Sequence, residues 1–324
     1  MRKTPNLLIS AGIVVAALAV GFFVSTRFSG PPLATQLLPE GDSIVYLKLG
    51  SLHLEDLSQS ASVEPEGDYK EFVAQTGIQI ERDLDEVAMS RRDTPDHRDV
   101  ESSEILVGHF DAERLKTYLQ KAAHDTQEYR DHTIYGIQHE GHFVRVCLLD
   151  AARVAVTNMD RSEPMHGIVD RSITRHAAGP SLLDAFYNRV PHGSLGWVIA
   201  RGPNQDAWQL PGGFSLPADS IAVASLRYDS SLLFRAEISA QSETQAKQMV
   251  EDANSHLALV HSIGESLGAR GQDKDLKAAF DSLRVEQKEN VAVFTATIPQ
   301  SLIKKIWSEV QNENAAPGAP AQKP

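Results

Sequence analysis

Residues 7–24 read LLISAGIVVAALAVGFFV, and this stretch decides the architecture of the chain. The 18 residues from Leu7 to Val24 carry no charge, and a helix of that length rises about 27 Å, close to the thickness of a bilayer's hydrocarbon core. Arg2 and Lys3 precede the stretch, whereas only Arg27 follows it closely. The positive-inside bias therefore places the N-terminus in the cytoplasm. We expect a retained transmembrane helix with the body of the chain exported.

A cleaved signal peptide is the alternative interpretation of the same stretch. Ala17, Leu18 and Ala19 fit the small-residue pattern of a signal-peptide cleavage site. Cleavage after Ala19 would leave the apolar residues 20–24 at a new N-terminus, and the apolar run continues beyond the point where a signal peptide's core ends. These two features favour an anchor that is retained.

The charge of the chain restricts its partners. Residues 1–30 hold three basic and no acidic residues, so 28 basic and 43 acidic residues remain, a formal charge of −15. Nucleic acids and anionic headgroups bind proteins through basic surfaces. We therefore expect no nucleic-acid partner, and contact with the membrane only through Leu7 to Val24.

Cysteine usage indicates a bacterial envelope protein. Cys147 is the single cysteine, so no intramolecular disulfide can form, and no Asn-x-Ser/Thr glycosylation motif occurs. Small extracellular domains of eukaryotes are usually cross-linked by disulfides. We expect a single-pass protein of the bacterial inner membrane, with its N-terminus in the cytoplasm and its body in the periplasm.

The pattern of turns and apolar residues predicts an α+β fold: one N-terminal transmembrane helix, then two related halves of mainly antiparallel sheet packed with helices. After the cytoplasmic residues 1–6 and the anchor, a Pro-containing linker covers residues 25–38. The first half covers residues 39–190 and the second residues 191–311. The Ala/Pro-rich residues 312–324 are predicted to be a disordered tail.

Alternating apolar residues and turn signals predict the strands, and helical spacing with capping residues predicts the helices. The predicted strands are residues 43–49, 84–89, 104–110, 133–137, 142–149, 153–157, 194–200, 220–228, 232–239, 284–288 and 291–298. The predicted helices begin near Asp68, Asp111, Pro164, Pro180, Ser242, Asp275 and Leu302. The charged residues 91–103 are predicted to be a surface loop.

A short echo within the sequence suggests duplication. Residues 39–44, PEGDSI, resemble residues 217–221, PADSI, and in each half paired strands precede a helix and further strands. This order predicts that the two halves are structural copies.

The stretch TGIQIERDLDEVAMS at residues 76–90 follows an N-terminal anchor and a strand that begins with Pro-x-x-Asp-Ser. In this respect the chain resembles bacterial membrane-anchored extracytoplasmic proteins of unknown function. In those proteins a Thr-Gly-apolar step leads through an acidic Asp-Leu turn into a strand. The resemblance implies the location and a repeated α+β ectodomain, and it implies no catalytic residue.

His139 and His142 form the most metal-like spacing. They flank a two-residue turn, so both imidazoles can point to one side, and Glu140 adds an oxygen donor. A third protein ligand, such as His132, would have to come from a neighbouring strand. The alternative interpretation is an exposed hairpin turn without a metal.

Cys147 invites a nucleophile interpretation, but it lies in the apolar strand FVRVCLL. A thiol in such a strand behaves as a small buried apolar group, and its pKa is raised. We therefore expect Cys147 to be structural.

Four residues are candidates for an interaction surface. Asp83, Asp85 and Glu86 form an acidic cluster beside Arg82, for which a solvated turn is the alternative interpretation. Trp208 lies in a loop rich in Pro and Gly, where burial is least assured.

No catalytic pattern is complete in this sequence, and no Gly-rich phosphate-binding motif occurs, so we expect no cofactor. We predict a non-catalytic binding or interaction module whose small-molecule ligand, if any, the sequence does not identify. One alternative is an anchored metal-dependent or other hydrolase that uses His139 and His142. The other is a structural subunit that contacts an envelope protein through Trp208 or residues 91–103.

Overall fold

A computed structural model describes most of the chain after the N-terminal stretch. The described residues are 30–50, 67–94, 100–139, 142–159, 161–174, 178–202, 209–210, 214–215, 217–267, 274–303 and 305. By its contacts the chain divides into two compact units, Met1–Leu33 and Ala34–Pro324, and of the first only residues 30–33 are described. The predicted anchor at residues 7–24 and the predicted tail at residues 312–324 lie outside the described residues. No helix within the described ranges has the length and apolarity needed to cross a membrane.

The body is built on one antiparallel sheet of twelve strands, with a separate two-stranded ribbon. The strands are β1 Ser43–Lys48, β2 Leu84–Asp93, β3 Val100–Gly108, β4 Asp125–Tyr129, β5 His132–His139, β6 His142–Leu148, β7 Arg153–Thr157, β8 Gly196–Arg201, β9 Gln209–Leu210, β10 Phe214–Ser215, β11 Ile221–Asp229, β12 Ser231–Ser239, β13 Arg284–Lys288 and β14 Val291–Pro299. The strand order in the large sheet is β13-β14-β12-β11-β8-β1-β2-β3-β7-β6-β5-β4. The predicted α+β class with a large antiparallel sheet is confirmed.

Helices cover both faces of the sheet. The helices are α1 Leu33–Gln36, α2 Gly67–Thr76, α3 Ile80–Asp83, α4 Ala112–Ala122, α5 Glu163–Ile173, α6 Ser181–Phe186, α7 Glu243–Leu267 and α8 Lys274–Ser282. Adjacent residues of a strand point to opposite sides of the sheet. We call the face that carries Ile44, Ala88 and Ile105 the α5 face, and the face that carries Val45 and Met89 the α4 face, after the helices that pack on them. A 3-10 turn at Tyr187–Arg189 follows α6.

Three hydrophobic clusters hold these layers together. On the α5 face, α5 and α6 bury Met165, Ile168 and Leu183 completely against the central strands. On the α4 face, α4 packs Leu115 and Leu119 against β3, β5, β6 and β7. The N-terminal part of α7 packs on β12 and β14 at the opposite end of the same face. Burial of these side chains supplies most of the free energy that favours folding.

The two central strands join segments that are far apart in sequence. β1 and β8 pair antiparallel, and Val45 lies directly opposite Val198. Backbone hydrogen bonds extend the pairing at both ends, from Lys48 N to Leu195 O at 2.7 Å and from Arg201 N to Asp42 O at 2.8 Å. The sheet therefore runs continuously through both predicted halves.

Local signals set the helix ends where the sequence predicted them. Asp111 caps α4, and its carboxylate accepts a hydrogen bond from the Arg114 backbone N–H at 3.1 Å. Helix α2 ends at Thr76, and the following Gly77 has a φ of 73°, which favours glycine because a Cβ is strained in that region.

One loop prediction was wrong at both ends, and one strand was not predicted. Residues 91–103 were predicted to be a loop, but β2 runs to Asp93 and β3 begins at Val100. The charged side chains there are accommodated at the end of the sheet, where Arg161 pairs with Glu101 at 2.8 Å. The edge strand Asp125–Tyr129 was not predicted, because it is almost entirely polar and exposed, as edge strands often are.

Candidate functional site

The predicted metal pair lies at the end of the β5–β6 hairpin. His139 and His142 are directly opposite each other in the register, so they belong to the same face of the hairpin. Their side chains and residue 140 lie outside the described part of the structure. Among the described residues, no group of three or more His, Cys, Asp or Glu side chains is placed to hold a metal ion. The metal hypothesis for this pair stays a prediction.

Cys147 is completely buried in β6. It faces Ala155 and Ile134 in neighbouring strands, within the cluster under α5. Burial, and secondarily the negative charge of Glu128, raises the pKa of the thiol to about 12. The structure thus confirms the predicted burial of Cys147 in an apolar strand and the predicted direction of its pKa shift.

Asp83 is engaged in the turn between α3 and β2. Its carboxylate accepts two hydrogen bonds from the Arg82 guanidinium, at 2.7 and 2.8 Å, and one from the Gln79 backbone N–H at 2.8 Å. The Arg82 hydrogen bonds are the main cause that lowers the pKa of Asp83. This carboxylate binds its own turn and has little remaining capacity for a ligand.

Asp85 and Glu86 point to different sides of β2. The Asp85 carboxylate lies 3.2 Å from His109 Nδ1; the His109 side chain is exposed, whereas the Asp85 side chain is 42% exposed. Glu86 instead interacts with Tyr46, whose pKa is raised by burial and by this carboxylate. The fourth candidate, Trp208, lies outside the described residues. The structure thus distributes the three described members over three environments, and their joint role as an interaction surface stays a prediction.

An apolar surface that was not predicted from the sequence crosses the middle of the α4 face. We call it the central strip; all its members are half-buried, and they lie on β1, β2, β8 and β11. Its six residues are Val45, Leu47, Val87, Met89, Val198 and Leu226. None of them belongs to the three hydrophobic clusters that the described residues form.

The position of the helices explains why the central strip is half-buried. Helix α4 contacts mainly β5 and β6, whereas α7 contacts mainly β13 and β14, so the two helices stand over opposite ends of the sheet. The four central strands lie between these two ends in the strand order. In the described part of the chain, the central strip is therefore the part of the α4 face that lies between the region under α4 and the region under α7.

Glu104 borders the central strip. It lies opposite Met89 in the register of β2 and β3, and opposite Val156 in β7. Burial raises the pKa of its carboxyl group. Within the described ranges, this carboxylate has neither an ion-pair partner nor a side-chain hydrogen bond. It is a poorly solvated acid beside apolar side chains.

The sequence contained a partial signal for this site. The strand prediction at residues 43–49 shows apolar residues on both faces, Ile44 and Val45 among them, which is typical of a central strand. Nothing local, however, shows that β8 lies beside β1, or that the described helices leave the α4 face of these two strands between them. Glu104 resembled an ordinary solvent-facing residue of an alternating strand.

Comparison with known proteins finds similarity among solved structures. No protein-family model matches the chain, and no curated protein sequence matches it. Among solved structures, crystal form III of TP0453 is 11% identical over 86% of this chain and 98% of its own, with a TM-score of 0.48. Crystal form IV of TP0453 is 11% identical over 86% of this chain and 96% of its own, with a TM-score of 0.46.

Proposed function

We propose that this chain is a non-catalytic binding module, held at the periplasmic side of a bacterial inner membrane by the helix from Leu7 to Val24. The uncharged stretch and the basic residues before it support this location. A reporter that is active only in the cytoplasm, fused to the C-terminus, should be inactive in intact bacteria, and the same reporter fused before Leu7 should be active. An active C-terminal fusion would contradict the location.

The central strip is the proposed binding surface. The partial exposure of its apolar side chains is the observation that carries the proposal. Val45, Val198 and Leu226 keep apolar surface in contact with water on strands that lie at the middle of the sheet. Contiguous exposed apolar surface on a folded protein typically marks a contact site for a partner. A partner that covers this surface would gain about 25 cal/mol of binding free energy for each Å² of apolar surface removed from water.

The proposed partner is an apolar polypeptide segment that carries a basic side chain. Glu104 supplies the reason, because a poorly solvated carboxylate is stabilised when a cation approaches it. The formal charge of −12 acts in the same direction by attracting basic partners and repelling acidic ones. The apolar side chains of the central strip would then provide the contact area, and Glu104 would favour a partner with a basic side chain.

Two peptides of equal length test this proposal, one of leucine and lysine and one of leucine and glutamate. We expect the lysine peptide to bind in calorimetry, and the glutamate peptide to bind much more weakly. Val198→Asp should weaken binding of the lysine peptide about tenfold or more, corresponding to about 1.4 kcal/mol. Circular dichroism checks that the variant is folded, and the milder Leu226→Ser replaces it if it is not.

Charge selection has its own matched control. Glu104→Gln and Glu113→Gln remove the same charge, but Glu113 lies on α4 with its side chain 85% exposed. We expect Glu104→Gln to reduce the preference for the lysine peptide and Glu113→Gln to leave it nearly unchanged. Equal effects of the two substitutions, or binding that Val198→Asp does not alter, would contradict the proposed site.

We further propose that the two halves are structural copies related by a two-fold axis between Val45 and Val198. In the strand order, β1-β2-β3-β7-β6 on one side of the axis corresponds to β8-β11-β12-β14-β13 on the other. In each series the third strand leads into a helix on the α4 face, and the last two strands form a hairpin. Hydrogen bonds that match across the axis support this correspondence.

The matching hydrogen bonds occur at strand ends and helix caps. The hydrogen bond from Lys48 N to Leu195 O in the first half matches the one from Arg201 N to Asp42 O in the second half. In the same way, Leu49 N to Asp85 O matches Gly202 N to Ser220 O. The third match is Gly108 N to Ala152 O with Ala240 N to Asn290 O. The caps of α4 and α7 also correspond, since Asp111 accepts from Arg114 N and Ser242 accepts from Gln245 N.

This correspondence aligns β1 with β8, whereas the sequence echo aligned residues 39–44 with residues 217–221, at the start of β11. The sequence similarity therefore matches β1 with β11, whereas the hydrogen bonds match β1 with β8, so the two observations support different alignments of the halves. An experimental structure in which the matched hydrogen bonds are absent from one half would contradict the duplication.

A further inference from the structure

We propose that a cavity beside α4 binds a small, uncharged molecule with several hydroxyl groups, of the size of a monosaccharide. The cavity has a volume of about 570 Å³ and lies between α4, the β4–β5 turn and the β6–β7 turn. Small-molecule sites have volumes of about 300–1,000 Å³. The cavity shares no residue with the central strip, so this inference does not depend on the peptide binding proposed for that strip.

Tyr135 carries the inference. It is only 3% exposed, and it belongs to the hydrophobic cluster under α4. It also lines the cavity, and within the described part of the chain its hydroxyl group takes part in no hydrogen bond. A buried tyrosine hydroxyl usually has a hydrogen-bond partner, because an unsatisfied buried polar group destabilises the fold. A ligand hydroxyl in the cavity would supply this partner.

The wall of the cavity is held in place by contacts within the chain. Arg130 and Asp131 form the two-residue β4–β5 turn with φ values of 47° and 63°, the left-handed conformation of a tight hairpin. The two ring nitrogens of His132 lie 2.8 Å from the Arg130 carbonyl oxygen and 3.2 Å from the Leu149 carbonyl oxygen. This ring joins the two turns that border the cavity. A preformed wall reduces the entropy that a ligand must lose on binding.

The charges around the cavity favour an uncharged ligand. Asp150 accepts a hydrogen bond from Arg153 Nε at 2.7 Å, and Lys116 pairs with a carboxylate of its own helix at 3.0 Å. Asp131 has no ion-pair partner among the described residues, but its side chain is exposed at the rim. A solvated carboxylate attracts a cation only weakly, whereas it readily accepts hydrogen bonds.

The polar groups that remain match the chemistry of a hydroxyl group. Within the described ranges, the Tyr135 hydroxyl, the Gln120 amide and the Asp131 carboxylate have no side-chain hydrogen bond. The first two can donate and accept, and the third accepts. A hydroxyl group does both, so a ring with several hydroxyl groups can satisfy all three. Its C–H face can contact Leu148 and Leu149, which also line the cavity.

A panel of small sugars tests the ligand class on the full chain. Saturation-transfer NMR is recorded with glucose, galactose, mannose, ribose and myo-inositol, and we expect at least one of them to bind with a Kd in the millimolar range. Absence of binding by all five would overturn the inference. Glucosamine and glucuronic acid add a positive and a negative charge to the glucose ring. If either bound tenfold more tightly than every neutral probe, the uncharged ligand class would be wrong.

Tyr135→Phe locates the site, because it removes only the hydroxyl group and keeps the buried ring. We expect binding of the best neutral probe to weaken about tenfold or more, and the Tm without probe to be no lower than that of the wild type. Tyr118→Phe is the matched control, since Tyr118 lies on α4 against Phe72 and does not line the cavity. It should leave binding unchanged.

Three results of these substitutions would overturn the inference. The first is equal weakening by Tyr135→Phe and Tyr118→Phe, which would place the site elsewhere. The second is a clear decrease in the Tm of Tyr135→Phe without probe, which would show that the hydroxyl group has a partner within the chain. The third is unchanged binding by Gln120→Ala, which alters an exposed side chain and therefore tests the site even if Tyr135→Phe does not fold.

Discussion

Glu104 places an ionisable group where water has limited access. Its neighbours in the register are Met89 and Val156, and burial raises the pKa of its carboxyl group. The folded chain therefore holds this proton more tightly than the unfolded chain, and the ionised form opposes folding at neutral pH. The ionised Glu104 side chain therefore destabilises the folded chain at pH values above its raised pKa. This destabilisation decreases as the pH falls through the raised pKa, because the carboxylate becomes protonated.

Glu104→Gln should therefore raise the Tm at pH 7, because the amide has a similar shape and no charge. The gain should shrink as the pH falls through the raised pKa and vanish below the ordinary value of 4.5. Thermal unfolding between pH 4 and pH 8 measures the effect. The exposed Glu113→Gln serves as the control, and a gain that persists unchanged at low pH would contradict the assignment to burial.

Cys147 should be inert while the chain is folded. Its thiol is completely buried and its pKa is raised to about 12, so little thiolate is accessible to an alkylating reagent. We expect iodoacetamide to label the native protein far more slowly than the urea-unfolded protein, as measured by intact mass. Rapid native labelling would show that β6 opens, or that the thiol is not where the strand register places it.

The two residues differ in how far their environments could be predicted. Cys147 sits in a continuous apolar run, so its burial followed from the strand itself. Glu104 lies in a strand with polar neighbours, Ser102 and Ser103, and nothing local distinguishes it from a solvent-facing acid. Its environment depends on β2 and β7, which only the tertiary pairing brings beside it.

Among the elements, α4 shows how a single cap supports a helix. Asp111 accepts a hydrogen bond from the Arg114 N–H, one of the donors that a helix N-terminus leaves without an internal partner. Helix α4 in turn carries Leu115 and Leu119 into the cluster on its face of the sheet. Loss of the Asp111 cap should therefore lower the free energy of unfolding of the whole body.

Asp111→Ala should lower the free energy of unfolding by about 0.5–2 kcal/mol. Asp111→Asn retains an oxygen that can accept the hydrogen bond, so it should cost much less. Urea unfolding followed by circular dichroism compares the two variants. An Asn variant as unstable as the Ala variant would indicate that the ion pair with Arg114, at 3.6 Å, matters more than the cap.

Elements with marked ends and an apolar face were predictable, and those without were not. Helix α2 is bounded by Gly77, and α5 has a Pro in its first turn and apolar residues at helical spacing. Strand β4 has no such pattern, because Asp125, Gln127 and Glu128 are all exposed. Its strand conformation depends on pairing with β5, and that information lies in another segment.

At the scale of the whole molecule, the β1–β8 pairing makes the two halves interdependent. Ile44 and Val45 give β1 apolar side chains on both faces, and five residue pairs join it to β8. Removing β8 would leave β1 as an apolar edge strand with unpaired backbone groups, which is a template for aggregation.

Residues 39–190 produced alone should therefore aggregate or remain partly unfolded, whereas residues 34–311 should be monomeric and folded. Size-exclusion chromatography and circular dichroism distinguish these outcomes. Co-expression with residues 191–311 should restore solubility by providing β8. A soluble, folded monomer of residues 39–190 would contradict the interdependence.

The fold class could be predicted from the sequence, but the strand order could not. Alternation within each strand and capping before each helix predicted a mixed fold with antiparallel pairs, since neighbouring strands are joined by short turns. The pairing of Val45 with Val198 leaves no local trace, because it depends on every intervening element being in place. The central strip lies across that pairing, so it was also beyond local patterns.

The same pairing imposes an order on biosynthesis. Residues 43–48 leave the ribosome well before residues 196–201, and at 5–20 residues per second the interval is roughly 7–30 s. During that interval the nascent chain can complete the hairpins of its first half but not the strand neighbour that β8 supplies. A chaperone that shields nascent β-strands would therefore act on this chain before its synthesis is half complete.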